Sequence, residues 1–534
     1  VTEAPPTGTG RRLVRSSAVV GVGTALSRAT GFLRVSALAL LGFGRLTDVY
    51  NIANSAPNIV YELLLGGILT ATLVPLYVEH VERRDQRATD AINTVSIVLL
   101  LALTVVGILA APWIIQLFTS DLPAGGNRAA QQALATDLLR WFMPQMFFYG
   151  ITALATAMLN ARHRFAAAAF APVLNNVIVI AVLLALPRVA SAPPSVQSVL
   201  DDPWLVVLLG LGTTAGIIAM ALVLLPALHA AGETFRWVWD LRHPAVRKLA
   251  RLSGWSVGYV IANQVAFLVA LRLSYGQSGD TSVYLAAFTF FQLPHGLFAV
   301  SIMTALAPEL ASRAQRGDTD GLRSQFALGF RLMGLVVIPA AVILAVLARP
   351  IVNALLARGD FTVRSASLTA GTLLAFAVGL FFFSAYLFIL RAFYAMQDTR
   401  TPFLLNCVEN GINIVLAFAL YSSMGVKGLA LSWSIAYGVS ALIALAALRR
   451  RLGRLEGRRT LTSAGRVVGA SAVLGATAWL VAQAVGYSGA NQALVATAAA
   501  VVVGGGLYLV VLRLLHAEEL TSLLATLQRR RVSA

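Results

Sequence analysis

Apolar runs of about 20 to 30 residues recur along this chain from near residue 13 to near residue 515, each long enough to cross a hydrocarbon core about 30 Å thick. Inside lipid every backbone N–H and C=O must find a partner within its own segment, so runs of this length fold as helices. Read between polar breaks, the sequence predicts fourteen spans, near 13–43, 48–78, 91–118, 132–160, 165–187, 204–230, 248–274, 281–309, 322–348, 364–395, 401–423, 427–448, 463–486 and 490–515. Only 12% of residues are charged, about half the roughly 25% that clothes a soluble chain. The expected fold class is an all-α polytopic membrane protein. A soluble enzyme, a disulfide scaffold and a disordered chain are excluded. The single cysteine, Cys407, lies in an apolar run and offers neither an intramolecular disulfide nor a cysteine-rich metal site.

The formal net charge is +18, which in a soluble chain would point to nucleic acid. Here the basic residues sit in short loops between spans, so they report topology, and no nucleic-acid partner is expected. Arginine clusters at 11–15, 83–87, 162–164, 236–247, 449–459 and 529–531 all fall on one side. The alternate loops hold only Arg45, Arg128, Arg188, Arg349, Arg358, Arg364 and Lys427. Positive residues favour the cytoplasm, so both termini are expected there, which agrees with an even span count. The first apolar run has the length of a retained helix, not of a cleaved signal segment.

Three motifs repeat in order at an offset near 235. TATLVPLYVEH with Pro75 matches MTALAPELASR with Pro308, LAAPWIIQLF with Pro112 matches LARPIVNALL with Pro350, and FAPVLNN with Pro172 matches RTPFLLN with Pro402. The expected organisation is an irregular segment 1–12, an N-lobe 13–230, a linker 231–247 and a C-lobe 248–448. A basic loop 449–462, two extra spans in 463–515 and a basic tail 516–534 complete it. Each lobe has six spans, so the lobes run in the same direction as parallel repeats, a transporter plan in which the substrate lies between repeats and access alternates.

Ionisable groups within spans cost about 2.5–3.5 kcal/mol each at mid-bilayer and therefore mark function. Span one carries Arg28 and Arg34 in SRATGFLR. Six residues place them about 120° apart on a helix, but Gly31 between them offers a bend that would turn both toward one aqueous cavity. Arginine suits phosphate because its planar fork stays charged when desolvated, so the pair reads as a clamp for an anionic headgroup. In span two, Asn51, Asn54, Asn58 and Glu62 follow one helical face, Pro57 frees the carbonyl of Ala53, and Asp48 sits at the outer end. The asparagines fit either a polar lining or interhelical hydrogen bonding. The second lobe offers Asn263, Gln264 and Arg272 in span seven, and Asn406, Glu409, Asn410 and Asn413 in span eleven. Asn406 and Asn410, one turn apart, supply oxygen ligands suited to a hard cation, or again helix–helix hydrogen bonds. Enzyme signatures are missing: the six histidines are scattered, and no HExxH or GxxxxGK[ST] motif occurs. No bound cofactor is expected.

SRATGFLR, TDVYNIANSAPNIV and TATLVPLY resemble the MurJ/MviN family of lipid II flippases, and LNARHRFAAAAFAPVLNN and FYAMQDTRTPF are similar to the wider MOP exporter superfamily. The resemblance covers nearly all of 13–515, and fourteen spans match this family better than the twelve-span antiporters. It implies a multi-pass protein of the bacterial inner membrane that flips lipid II, the undecaprenyl-pyrophosphate-linked cell-wall precursor, to the outer leaflet. It further implies that Arg28 and Arg34 line a cationic cavity, that Asp48 matters for function, and that spans thirteen and fourteen form a groove for the polyprenyl tail. The drive it implies is a Na+ or H+ gradient or the membrane potential. Membrane lipids and cell-wall synthesis proteins are the other expected partners, and some members extend into cytoplasmic regulatory domains.

Departures from the family pattern bear on the substrate. Where many members carry a basic pair after P-N, this chain has Tyr61 and Glu62; where many carry an acidic residue with arginine and a glutamate before the proline of span eight, it has Phe288, Thr289 and Gln292. The usual second-lobe arginine is missing, and Arg272 substitutes for it only if span seven turns it inward. Two other readings remain open. One is an exporter of a different lipid-linked oligosaccharide or of cationic drugs, the latter opposed by the arginines and favoured by Glu62 and Glu409. The other is a non-transporting scaffold for cell-wall synthesis.

Overall fold

The computed structural model describes residues 7–62, 73, 76–79, 85–120, 126–162, 164–517 and 519, and among these it is helical without strands. It divides into two compact units, Val1–Val265 and Ala266–Ala534.

The first unit contains α1 (Thr7–Ala39), α2 (Arg45–Glu62), α3 (Gln86–Thr119), α4 (Gly126–Phe142), α5 (Pro144–Ala161), α6 (Ala166–Val189), the short α7 (Val196–Leu200), α8 (Pro203–Leu222) and α9 (Leu225–Ala230). The division falls inside α10 (Pro244–Ser274). The second unit continues with α11 (Asp280–Pro294), a π turn (His295–Ala299), α12 (Val300–Gln315), α13 (Thr319–Val346), α14 (Ala348–Leu356), α15 (Val363–Ala395), α16 (Arg400–Met424), α17 (Val426–Leu452), α18 (Gly457–Val485) and α19 (Ala490–Leu514).

Twelve helices among the described residues are long and apolar enough to cross a membrane, and they coincide with spans three to fourteen of the sequence reading. Spans one and two correspond to α1 and α2, whose arginines and asparagines lower their hydropathy. The continuation of span two through residues 63–72, the loop 80–84, Pro75 and the tail 520–534 lie outside the described residues. The helix of span one begins at Thr7, so residues 7–12 are helical where the sequence reads as irregular; Arg11 and Arg12 are good helix formers and extend the run backward.

The repeated prolines act differently in the two units. Pro112 lies within α3, which runs unbroken to Thr119. Pro350 follows a break at Leu347 (φ −97°, ψ 14°) and occupies the first turn of α14, where its missing N–H costs no helical bond. In the eighth span Pro294 is followed by the π turn, a local widening of the helix that a missing donor favours.

Small residues set the close approaches. A Cβ on Gly23 would lie 2.7 Å from the Cβ of Ala169, so α1 and α6 touch there. A Cβ on Gly504 would meet the carbonyl of Leu474 at 3.2 Å, whereas Gly505 and Gly506 face open space; of the three consecutive glycines only the first joins α19 to α18. Leu109, Val415 and Val502 are each at least two-thirds exposed, as lipid-facing residues must be.

Polar tethers hold the connections. Residues 233–240 run extended along the start of α3: the Gln86 amide donates to the Thr234 carbonyl (2.8 Å), the Arg236 N–H to Asp90 Oδ1 (3.3 Å) and the Val238 N–H to Thr94 Oγ1 (3.0 Å). At the turn between α15 and α16, Asp398 accepts from the Thr401 N–H (3.0 Å) and hydroxyl (2.7 Å) and pairs with Arg451. Burial alone would raise this carboxyl, but the two Thr401 bonds and Arg451 together hold it below the ordinary aspartate value.

Candidate functional site

The first unit positions Arg28 and Arg34 on α1. The helix is continuous through Gly31, whose Cβ would meet only the Asn176 amide at 3.8 Å, so Gly31 does not interrupt it. Regular geometry keeps the arginines about 9 Å apart along the axis and about 120° apart around it. The face carrying Gly23, Ser27 and Thr30 packs on α6, where the Asn176 amide donates to the Ser27 carbonyl (3.2 Å) and to Thr30 Oγ1 (3.0 Å). Arg34 lies one turn beyond Thr30 on that stripe, half-buried and close enough to Tyr50 of α2 to interact electrostatically with its phenol. Arg28 points away and is exposed. Neither guanidinium has an ion pair or hydrogen bond among the described residues. Two unpaired cations on a membrane helix call for an anion.

In α2 the polar stripe serves two purposes. The Tyr149 hydroxyl of α5 donates to Asn58 Oδ1 (2.9 Å), and the Asn58 amide donates back to the Asn54 carbonyl (2.7 Å), so Asn58 is committed to helix packing. Asn54 Oδ1 is buried with no hydrogen-bond partner among the described residues, which leaves it for a ligand. Asp48 is completely buried in the first turn of α2, where the helix dipole favours a carboxylate. The turn ahead of it is closed by Thr47, whose Oγ1 accepts from the Gly44 N–H (3.0 Å). Glu62, the last residue of α2, has an exposed side chain.

The second unit contains the remaining candidates. Arg272 is half-buried in the last turn of α10, where a cation offsets the helix dipole; this places it at a helix end and not at mid-span. Asn406, Glu409, Asn410 and Asn413 are all buried in α16. The Asn410 amide donates to the Asn406 carbonyl (2.9 Å), and Asn413 Oδ1 accepts from Ser432 (3.1 Å). Glu409 is 1% exposed, and both its oxygens lack a hydrogen-bond partner. Leaving a charge so placed uncompensated is costly.

The family model described as lipid II flippase MurJ matches residues 38–499. The chain belongs to the MurJ family. It is 30% identical over 485 residues to a probable lipid II flippase MurJ of Vibrio cholerae, covering 88% of this chain and 89% of that one. It is 28% identical over 454 residues to the lipid II flippase MurJ of Burkholderia cenocepacia, covering 82% and 84%. Among solved structures, a lipid II flippase MurJ in an inward closed conformation aligns with a TM-score of 0.76 at 22% identity, over 93% of this chain and 99% of that one. An inward-facing MATE-family multidrug transporter aligns at 0.65 and 15% identity, over 80% and 95%; both likenesses are of fold. Against the MurJ pattern of span eight, the substituted position Phe288 joins an aromatic cluster. Its ring lies 6.0 Å from Trp433 and 5.5 Å from Phe376, and Trp433 also meets Phe291 at 4.8 Å and Tyr437 at 4.3 Å. A packed aromatic core therefore surrounds Phe288, at the position where the sequence reading expected a charge.

Two features of the second unit escaped the sequence reading. Arg331 of α13, 6% exposed, pairs with Glu456 (3.0 Å) and Glu519 (3.0 Å); its signal was a charge inside an apolar run. The isolation of Glu409 was not readable, because it depends on what α11 and α17 fail to offer it.

Proposed function

We propose that this chain flips lipid II from the cytoplasmic to the outer leaflet of the bacterial inner membrane, with both termini cytoplasmic and without making or breaking a covalent bond. What supports this is the match of residues 38–499 to the MurJ family together with Arg28 and Arg34 of α1, which lie just ahead of that stretch and have no ion pair or hydrogen bond among the described residues. A pyrophosphate supplies the missing anion, and two arginines at different heights and azimuths serve it in succession as the site opens to one side and then the other. Asn54 supplies a polar contact along the same path, and Asp48 and Glu62 bound it. Spans thirteen and fourteen take the polyprenyl tail. In a host depleted of its own flippase, expression of this chain restores lipid II to the outer leaflet, read by leaflet-selective labelling. Lipid II trapped inside despite correct insertion would overturn the reading.

Coupling belongs to α16. Glu409 carries a monovalent cation, H+ or Na+, with the amide oxygens of Asn406 and Asn410 as neighbouring ligands; the orphaned buried carboxylate is what supports this. Glu409→Gln keeps the shape and removes the charge, so the variant is expected to fold and to lose the response of flipping to an imposed H+ or Na+ gradient. An unchanged response to both gradients sinks the assignment and leaves membrane potential as the drive.

A further inference from the structure

A cavity of about 800 Å³ opens in the second unit between α13, α15, α17 and the start of α18. Its volume lies within the roughly 300–1,000 Å³ typical of ligand sites. The inner wall is apolar: Phe326 and Phe330 of α13, Phe381 of α15 and Leu445 of α17, with the ring of Phe330 5.9 Å from those of Phe326 and Phe381. The mouth is cationic. Arg449, Arg454 and Arg458 line it, all exposed and none with an ion pair or hydrogen bond from its side chain among the described residues.

Two further features favour a negative group at this mouth. The residue before α18, Glu456, makes no side-chain cap, so the first N–H groups of that helix, at the lining residues Gly457 and Arg458, lack the usual acceptor. Thr460, one turn further and also lining, has a buried hydroxyl with no partner. The one acidic lining residue, Glu456, is already neutralised by Arg331 at 3.0 Å.

We infer that this cavity holds one anionic phospholipid of the arginine-rich leaflet, its phosphate at Arg449, Arg454 and Arg458 and one acyl chain between the phenylalanines. The combination decides the occupant. A free anion has no use for the apolar wall, and a zwitterionic lipid brings its own cation to a mouth that already carries four arginines, three of them without an ion pair among the described residues. The lining draws on the first turns of α18 and on no residue of α19, and the inference does not rest on the substrate being lipid II.

The test uses the purified full chain in neutral detergent and counts retained lipid by native mass spectrometry. Phosphatidylglycerol is expected to be retained at one molecule per chain, at least about tenfold more tightly than phosphatidylcholine with the same acyl chains, since each arginine near a headgroup is worth about fivefold. The triple variant Arg449→Gln, Arg454→Gln, Arg458→Gln, altered only at exposed side chains, loses the preference. Removing three arginines elsewhere (Arg236→Gln, Arg242→Gln, Arg247→Gln) leaves it intact. Equal retention of the two lipids, a preference that survives the first triple variant, or displacement of phosphatidylglycerol by inorganic phosphate would each overturn the inference, the last by reducing the site to one for a simple anion.

Discussion

Replacing Arg34 by alanine lowers lipid II flipping by at least about 30-fold, and replacing Arg28 does the same, while both variants insert and fold as the wild type does. Removing one partner of a desolvated charge pair costs about 2–5 kcal/mol, and 2 kcal/mol is already a factor of about 30 in binding. Folding is spared because neither guanidinium has an ion pair or hydrogen bond among the described residues to lose. The continuity of α1 through Gly31 sharpens the expectation. If the arginines act in succession, the double variant is little worse than either single one, because each step is needed for a full cycle. If they gripped one phosphate together, each single variant would keep partial activity and only the double would lose it. Outer-leaflet lipid II measured in the three variants at equal membrane abundance distinguishes these cases. Wild-type flipping by both single variants would exclude the arginines from the substrate path. Lysine at either position restores charge but not the planar fork, so partial rescue is expected.

What the sequence makes legible is the part of the fold dictated by lipid. Apolar runs become helices because backbone groups have no other partner in hydrocarbon, so α3 to α19 lie where the spans are expected. The breaks are less legible. Pro112 and Pro350 occur in matched motifs, yet α3 continues through the first while a new helix starts at the second, because a proline in the first turn of a helix and one in its interior look alike in a string. At the site, residue types could be read but their commitments could not. Asn54 and Asn58 share a face and a chemistry, and only the position of Tyr149, 91 residues after Asn58, separates the helix-packing amide from the one with a vacant acceptor. Phe288 read as a missing charge; the structure gives it a positive role in the aromatic packing around Trp433.

Arg331 shows the same limit for stability, and it supports the largest structural effect expected of any single substitution in the second unit. Its side chain and that of Glu519 are both 5% exposed and lie 3.0 Å apart, with Glu456 at 3.0 Å on the other side. The three charges come from α13, the connection into α18 and the segment after α19, so one guanidinium fastens both ends of the last helical pair to the body of the unit. Arg331→Ala leaves two carboxylates without their counter-charge, Glu519 among them fully enclosed, and breaking a buried pair from one side costs about 3–5 kcal/mol. The expected result is a clear fall in the unfolding midpoint of the detergent-solubilised chain and earlier proteolysis at 453–457. Removing the charges together behaves differently. Arg331→Met combined with Glu456→Gln and Glu519→Gln has no orphaned ion and is expected to recover much of the loss, because apolar and neutral side chains replace a buried ion pair at little net cost. If Arg331→Ala unfolds within about 0.5 kcal/mol of wild type, the range of an ordinary surface change, the triad does not fasten the helical pair, and the close packing of Gly504 on Leu474 and Ala478 must hold it instead.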